Sequence, residues 1–211
     1  MPTISFRERP STSRKSRPTW ELVELFPDQG HWTEEEYLHL VNDRVRAEWV
    51  NGTLELLTMP TIPHDRTVKF LFLALHAFVE ARKLGEVFIS TTKTKLGESE
   101  IRMPDVLLIL NERIGKHTVD YFLGADLVME IVSGDSKSRK RDLVEKRSHY
   151  ASAGIAEYWI VDPNRSKITV LSLEGQKYRT AGEYKKGQRA VSALLKGFEV
   201  DVSEALAGMK R

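Results

Sequence analysis

The chain has 211 residues, 41% of them hydrophobic, enough to bury one substantial core. It contains no cysteine, which excludes structural disulfides, thiolate metal sites and cysteine nucleophiles, and no apolar run approaches the roughly 20 residues of a membrane helix. Its 32 basic and 30 acidic residues leave a net charge of +2, too small to mark a nucleic-acid binder by bulk charge, and the composition fits a cytoplasmic protein with no membrane partner.

Residues 1–18 combine Arg7, Arg9, Arg14, Lys15 and Arg17 with serine and proline, and read as a disordered basic arm. The arm is a solvated tail, a phosphate-contacting segment or a cleaved targeting peptide. Residues 19–211 read as one domain, opening on a short docking helix from Trp20 to Phe26. Thr33 and Glu36 form a capping box and predict a helix from Glu34 to Val41. RAEWVNGTLELL is a hairpin around Asn51-Gly52. After Pro60 and Pro63, the helical spacing of Val68, Leu71, Phe72, Leu75, Phe78 and Val79 predicts a long helix with one core-facing side.

EVFISTTKTKL reads as one strand, PDVLLIL as a second that is buried on both faces, and DLVMEIVS as a third after a polar loop from Asn111 to Gly124. SRKRDLVEKRSHYASAG is a helix stopped by Gly154, and EYWIVDP is the next strand. That strand, helix, strand order suits a right-handed crossover between parallel neighbours. KITVLSL, QKYRTAGEY, AVSAL and FEVDV read as short strands and edges. The class is α/β or α+β, with helices flanking a central mixed sheet.

Two carboxylates stand out. Asp105 opens one apolar strand, and Glu130 lies inside another, flanked by Val128, Met129, Ile131 and Val132. A carboxylate withdrawn from water costs several kcal/mol. Glu130 therefore has a partner, is protonated, or faces a cleft; the partner is a metal ion or an arginine. Converging oxygens on adjacent strands suit a hard divalent cation, Mg2+ best. Glu48 on the hairpin is a third candidate donor, or else a solvated cross-strand partner. Asp142, Lys146 and Tyr150 recur every four residues and share one helix side, which either faces the carboxylates or carries a solvated Asp142–Lys146 pair.

In order and spacing, AEWVNGTLEL, PTIPH, RMPDVLLIL, DLVMEIVS and DLVEKRSHYASAGIAEYWIVDP resemble the Uma-type family, domain of unknown function 820, over residues Thr33 to Val202. The resemblance implies the restriction-endonuclease-like PD-(D/E)XK nuclease fold. It makes Pro104-Asp105 the PD element, Glu130 the acidic residue of (D/E)XK, and Glu48 the early glutamate before the turn. His64 matches a recurrent family histidine, with a solvated first-turn position as its plainer reading. Val132 stands where the motif's lysine belongs, which makes Lys146 the migrated lysine and Lys93 and Lys95 the reserves.

These residues lead us to expect a Mg2+-dependent endonuclease, with Mn2+ as a substitute, that hydrolyses DNA as a homodimer. Glu48, Asp105, Glu130 and the carbonyl of Ile131 would hold the metal, and Lys146 would orient water or stabilise charge. Lys137, Arg139, Lys140, Arg141 and Arg147 would contact phosphates or form a solvated face. The alternatives are a nucleic-acid-binding or assembly protein that cleaves poorly or not at all, and a metallohydrolase with another substrate.

Overall fold

The structure, a computed structural model, describes residues 27–40, 45–132, 139 and 141–209. The basic arm, the docking helix, Lys137 and Lys140 lie outside the described residues. Helix α1 (Glu34–Leu40) starts on the expected capping box: Glu36 Oε2 accepts from Thr33 N at 2.9 Å, and Thr33 Oγ1 accepts from Glu36 N at 3.2 Å. Strands β1 (Ala47–Val50) and β2 (Thr53–Leu56) form the hairpin, with Asn51 and Gly52 at φ 47° and 73°. A Cβ at Gly52 would stand 2.4 Å from the Gly30 carbonyl oxygen. Gly52→Ala is therefore expected to cost about 2 kcal/mol, read as a fall of roughly 4–8 °C in melting temperature.

Helix α2 (Ile62–Arg82) begins two residues before the expected start after Pro63. Thr61 caps it, and Pro63 sits inside the first turn, where a missing N–H loses no hydrogen bond. EVFISTTKTKL is two strands, β3 (Gly85–Ile89) and β4 (Lys93–Gly97), because a turn with Thr92 N donating to Ile89 O carries the chain into a different sheet. β5 (Glu100–Arg102) and β6 (Val106–Leu110) follow. The expected polar loop is partly ordered into α3 (Asn111–Ile114) and β7 (Tyr121–Leu123), the latter anchored by Phe122 against Phe88 at 4.9 Å. Then come β8 (Leu127–Ile131), a π-helical turn (Arg141–Glu145), α4 (Lys146–Ser152) and β9 (Glu157–Asp162). The chain finishes with β10 (Lys167–Glu174), β11 (Lys177–Lys185), β12 (Arg189–Val191), β13 (Glu199–Asp201) and α5 (Val202–Ala205).

The central sheet is mixed and six-stranded, in the order β11-β10-β9-β8-β6-β3, with β8 and β9 parallel as the crossover requires. A second, five-stranded sheet runs β2-β1-β5-β4-β7. Alternation divides the central sheet into two faces. Leu108, Leu127, Met129, Trp159 and Val161 pack against Val68, Leu71, Leu75 and Val79 of α2. Leu107, Ile109, Val128 and Ile160 face Tyr150 and Ala151 of α4. Asp105 and Glu130 keep the parity of that second set, so both carboxylates turn toward α4.

Candidate active site

Asp105 and Glu130 meet because β6 and β8 pair antiparallel with Val106 opposite Met129, a register that sets Asp105 opposite Glu130 one residue further on. Both line one cleft of about 470 Å³, together with His64, Ile131, Asp142 and Lys146. Asp105 Oδ2 accepts from the backbone N–H of Ile131 at 2.8 Å and lies 3.3 Å from His64 Nε2. His64 is thus not a solvated first-turn residue: its side chain is only 16% exposed. Burial opposes its charge, but the hydrogen bond and charge of Asp105 raise its pKa on balance.

Glu130 is nearly sealed from water. Its Oε1 accepts from Lys146 Nζ at 2.7 Å and from Tyr150 OH at 2.6 Å, so two of the three α4-side residues hold the same oxygen. Burial pushes the Glu130 carboxyl up to about 8, with Lys146 opposing and Asp105, Asp142 and Glu48 reinforcing. Lys146 is itself buried, 3.5 Å from Glu48 Oε1 and 3.7 Å from Asp142 Oδ1. Burial works against its charge, yet Glu130, Glu48 and Asp142 outweigh it and hold its pKa above the ordinary lysine range. Burial likewise raises Asp142. The Asp142–Lys146 pair is therefore part of a buried cluster and not a solvated helix pair.

Glu48 is brought to this cluster but is not among the residues that line the cleft. Its oxygens accept from Met103 N at 3.0 Å and Arg102 Nη1 at 2.8 Å. Burial alone would raise its pKa; Lys146, Arg102 and the Met103 N–H bring it down to about 2. A solvated cross-strand role is excluded, since Glu48 is fully buried. Arg102 is the residue sequence reasoning missed. Its guanidinium is fully buried and also reaches Glu55 and Glu100, both at 2.6 Å. An arginine between Ile101 and Met103 was the available signal, because a buried guanidinium demands carboxylates.

The reserve lysines lie elsewhere. β4 belongs to the five-stranded sheet, and Lys95 Nζ is bound to Glu34 at 2.5 Å. Of the described basic residues near α4, Arg139 pairs with Asp162 and Arg147 donates to the Tyr178 carbonyl; Arg141 lines the cleft.

Among the described residues, no group of three His, Asp or Glu side chains converges into a metal cage. Mg2+ does not need one, because it keeps several waters and uses one or two carboxylates. The donor set fits it: hydrogen bonds engage Oδ2 of Asp105 and Oε1 of Glu130, leaving the other oxygen of each for a cation.

A family profile described as "Putative restriction endonuclease", Uma2, matches residues 34–203. Among solved structures, the chain is similar to a "putative nuclease belonging to DUF820" from Anabaena variabilis, with a TM-score of 0.67 and 15% identity, covering 83% of this chain and 97% of that one. At that identity the likeness concerns the fold. No curated protein matches the chain.

Proposed function

The chain belongs to the Uma2 family of restriction-endonuclease-like proteins, and from that premise we propose that it is a Mg2+-dependent endonuclease acting on DNA. The observation that carries the reading is the convergence of Asp105, Glu130 and Lys146 on one cleft, with Lys146 2.7 Å from Glu130. When bound, Mg2+ supplies an acidified water and offsets the charge of the phosphate. Asp105 and Glu130 would hold it, with the Ile131 carbonyl as a further oxygen.

The chain's own groups do the rest. The Ile131 N–H and His64 fix the Asp105 carboxylate, and Tyr150 fixes Glu130. Lys146 keeps its proton, so it acts as a donor toward water or developing charge and not as a base. Glu48 and Asp142 position the ammonium from behind, which makes Glu48 a positioning residue. A homodimer, with one cleft for each strand, is the assembly that goes with duplex cleavage.

Plasmid nicking with Mg2+ or Mn2+, alongside Mn2+ calorimetry, tests the reading. The wild type is expected to nick and bind Mn2+, and Asp105→Ala with Glu130→Ala to lose both. Equal Mn2+ affinity in wild type and double variant would remove the shared site. Salt-sensitive DNA binding without cleavage would assign the chain to a binding or assembly role instead. Among the described residues no helix is long and apolar enough to cross a membrane.

A further inference from the structure

Two arginines from separate elements line the cleft, and neither is accounted for by metal binding or by the lysine. Arg46 immediately precedes β1. Its carbonyl accepts from Leu57 N at 2.8 Å, which extends the hairpin ladder by one pair. Alternation then puts its side chain on the face of Glu48, and it lines the cleft. Arg141 opens the π-helical turn and lines the same cleft.

Both guanidiniums carry a buried Nε with no hydrogen-bond partner. Among the described residues, Arg141 has a long ion pair, 3.6 Å to Asp142 Oδ1, and no ion pair reaches Arg46. Among the described arginines only these two have a buried Nε left without a hydrogen-bond partner. Arg102, Arg113, Arg139, Arg179 and Arg189 each hold a carboxylate at 3.2 Å or closer. A buried donor without an acceptor costs free energy unless a ligand supplies the acceptor. The carboxylates beside them do not supply it: the bonds to Asp105 come from Ile131 and His64, those to Glu130 from Lys146 and Tyr150, and the remaining oxygen of each is the one left for the cation.

We infer that Arg46 and Arg141 form a clamp for a backbone phosphate of the nucleic-acid strand, next to the Asp105–Glu130 pair. The guanidinium fork matches phosphate oxygens two at a time, which an ammonium cannot do. Two forks from separate elements fix a phosphate in position, and the contact is blind to sequence. The inference rests on the nuclease reading for the identity of the strand, but its test reads binding and not cleavage.

The experiment measures the affinity of a short fluorescein-labelled DNA duplex by anisotropy in Ca2+, over a salt series, for wild type, Arg46→Gln, Arg46→Lys and Arg141→Gln. Each glutamine variant is expected to weaken binding about tenfold and to lower the slope of log affinity against log salt by about 0.9. Arg46→Lys should recover the slope but not the full affinity. Melting temperature should stay unchanged or rise in Arg46→Gln, because the residue satisfies no described partner; a lattice of structural contacts would lower it. Unchanged affinity and slope in the glutamine variants overturn the clamp and leave the nuclease reading standing if the wild type nicks. Arginine-dependent binding by a wild type that never nicks upholds the clamp and removes the nuclease. No duplex binding by the wild type overturns the clamp.

Discussion

Replacing Lys146 with methionine is expected to slow metal-dependent cleavage by about 10²–10³-fold, the loss typical of one electrostatic donor aimed at transition-state charge. Its ammonium touches Glu130 and lies close to Glu48 and Asp142, so no neighbouring group can take over its position. Sequence spacing alone suggests that such a variant would melt like the wild type. Burial changes that expectation. Removing the cation strands carboxylates in a water-poor site, which costs about 3–5 kcal/mol and, for a chain of this size, roughly 6–20 °C of melting temperature. Cleavage must therefore be measured well below the variant's melting point. Mn2+ affinity should persist or increase, because a competing positive charge has left the site. Lys146→Arg should recover most of the stability but little of the rate, since its longer planar fork displaces the donor. A methionine variant that cuts at the wild-type rate would discard Lys146 as the donor and leave Arg46 and Arg141 as the cations of the cleft.

The elements that sequence made legible are those with local signatures. The capping box of Thr33 and Glu36, the Asn51-Gly52 turn and the apolar face of α2 are each encoded within a few residues, and each stands where expected. So does the placement of Glu130: a charge among Val128, Met129, Ile131 and Val132 has few physical explanations, and strand parity fixes its face. What sequence left hidden is the partnering between sheets. EVFISTTKTKL looks continuous because both halves are β-prone, while the turn that divides it is set by the separate sheets each half joins. Arg102 and Glu48 are 54 residues apart, and only the β1–β5 pairing brings their side chains together. Arg46 gave no local signal, since its distinction is the lack of a partner in a cleft built from distant segments.

On the opposite face of the same sheet, Glu157 does structural work that its sequence motif does not announce. It begins β9 with the parity of Trp159 and Val161, which face α2, and is fully buried. One oxygen accepts from Trp159 Nε1 at 2.6 Å and Ser192 Oγ at 2.7 Å; the other accepts from the backbone N–H groups of Ala193 and Leu194 at 2.6 and 2.7 Å. The carboxylate thus ties the turn between β12 and β13 to the central sheet, and no other residue type presents two acceptor oxygens at that reach. Glu157→Ala leaves these donors without an acceptor and is expected to cost about 3–5 kcal/mol, a fall of roughly 6–20 °C in melting temperature. Glu157→Gln should also destabilise, because its amide must point N–H groups at one of the two donor pairs. Mn2+ affinity in the folded variants should match the wild type, since Glu157 and Glu130 lie on opposite faces. A melting temperature within a degree or two of wild type for both variants would show that the turn is held by its apolar contacts, chiefly Leu195 and Phe198, and not by this carboxylate.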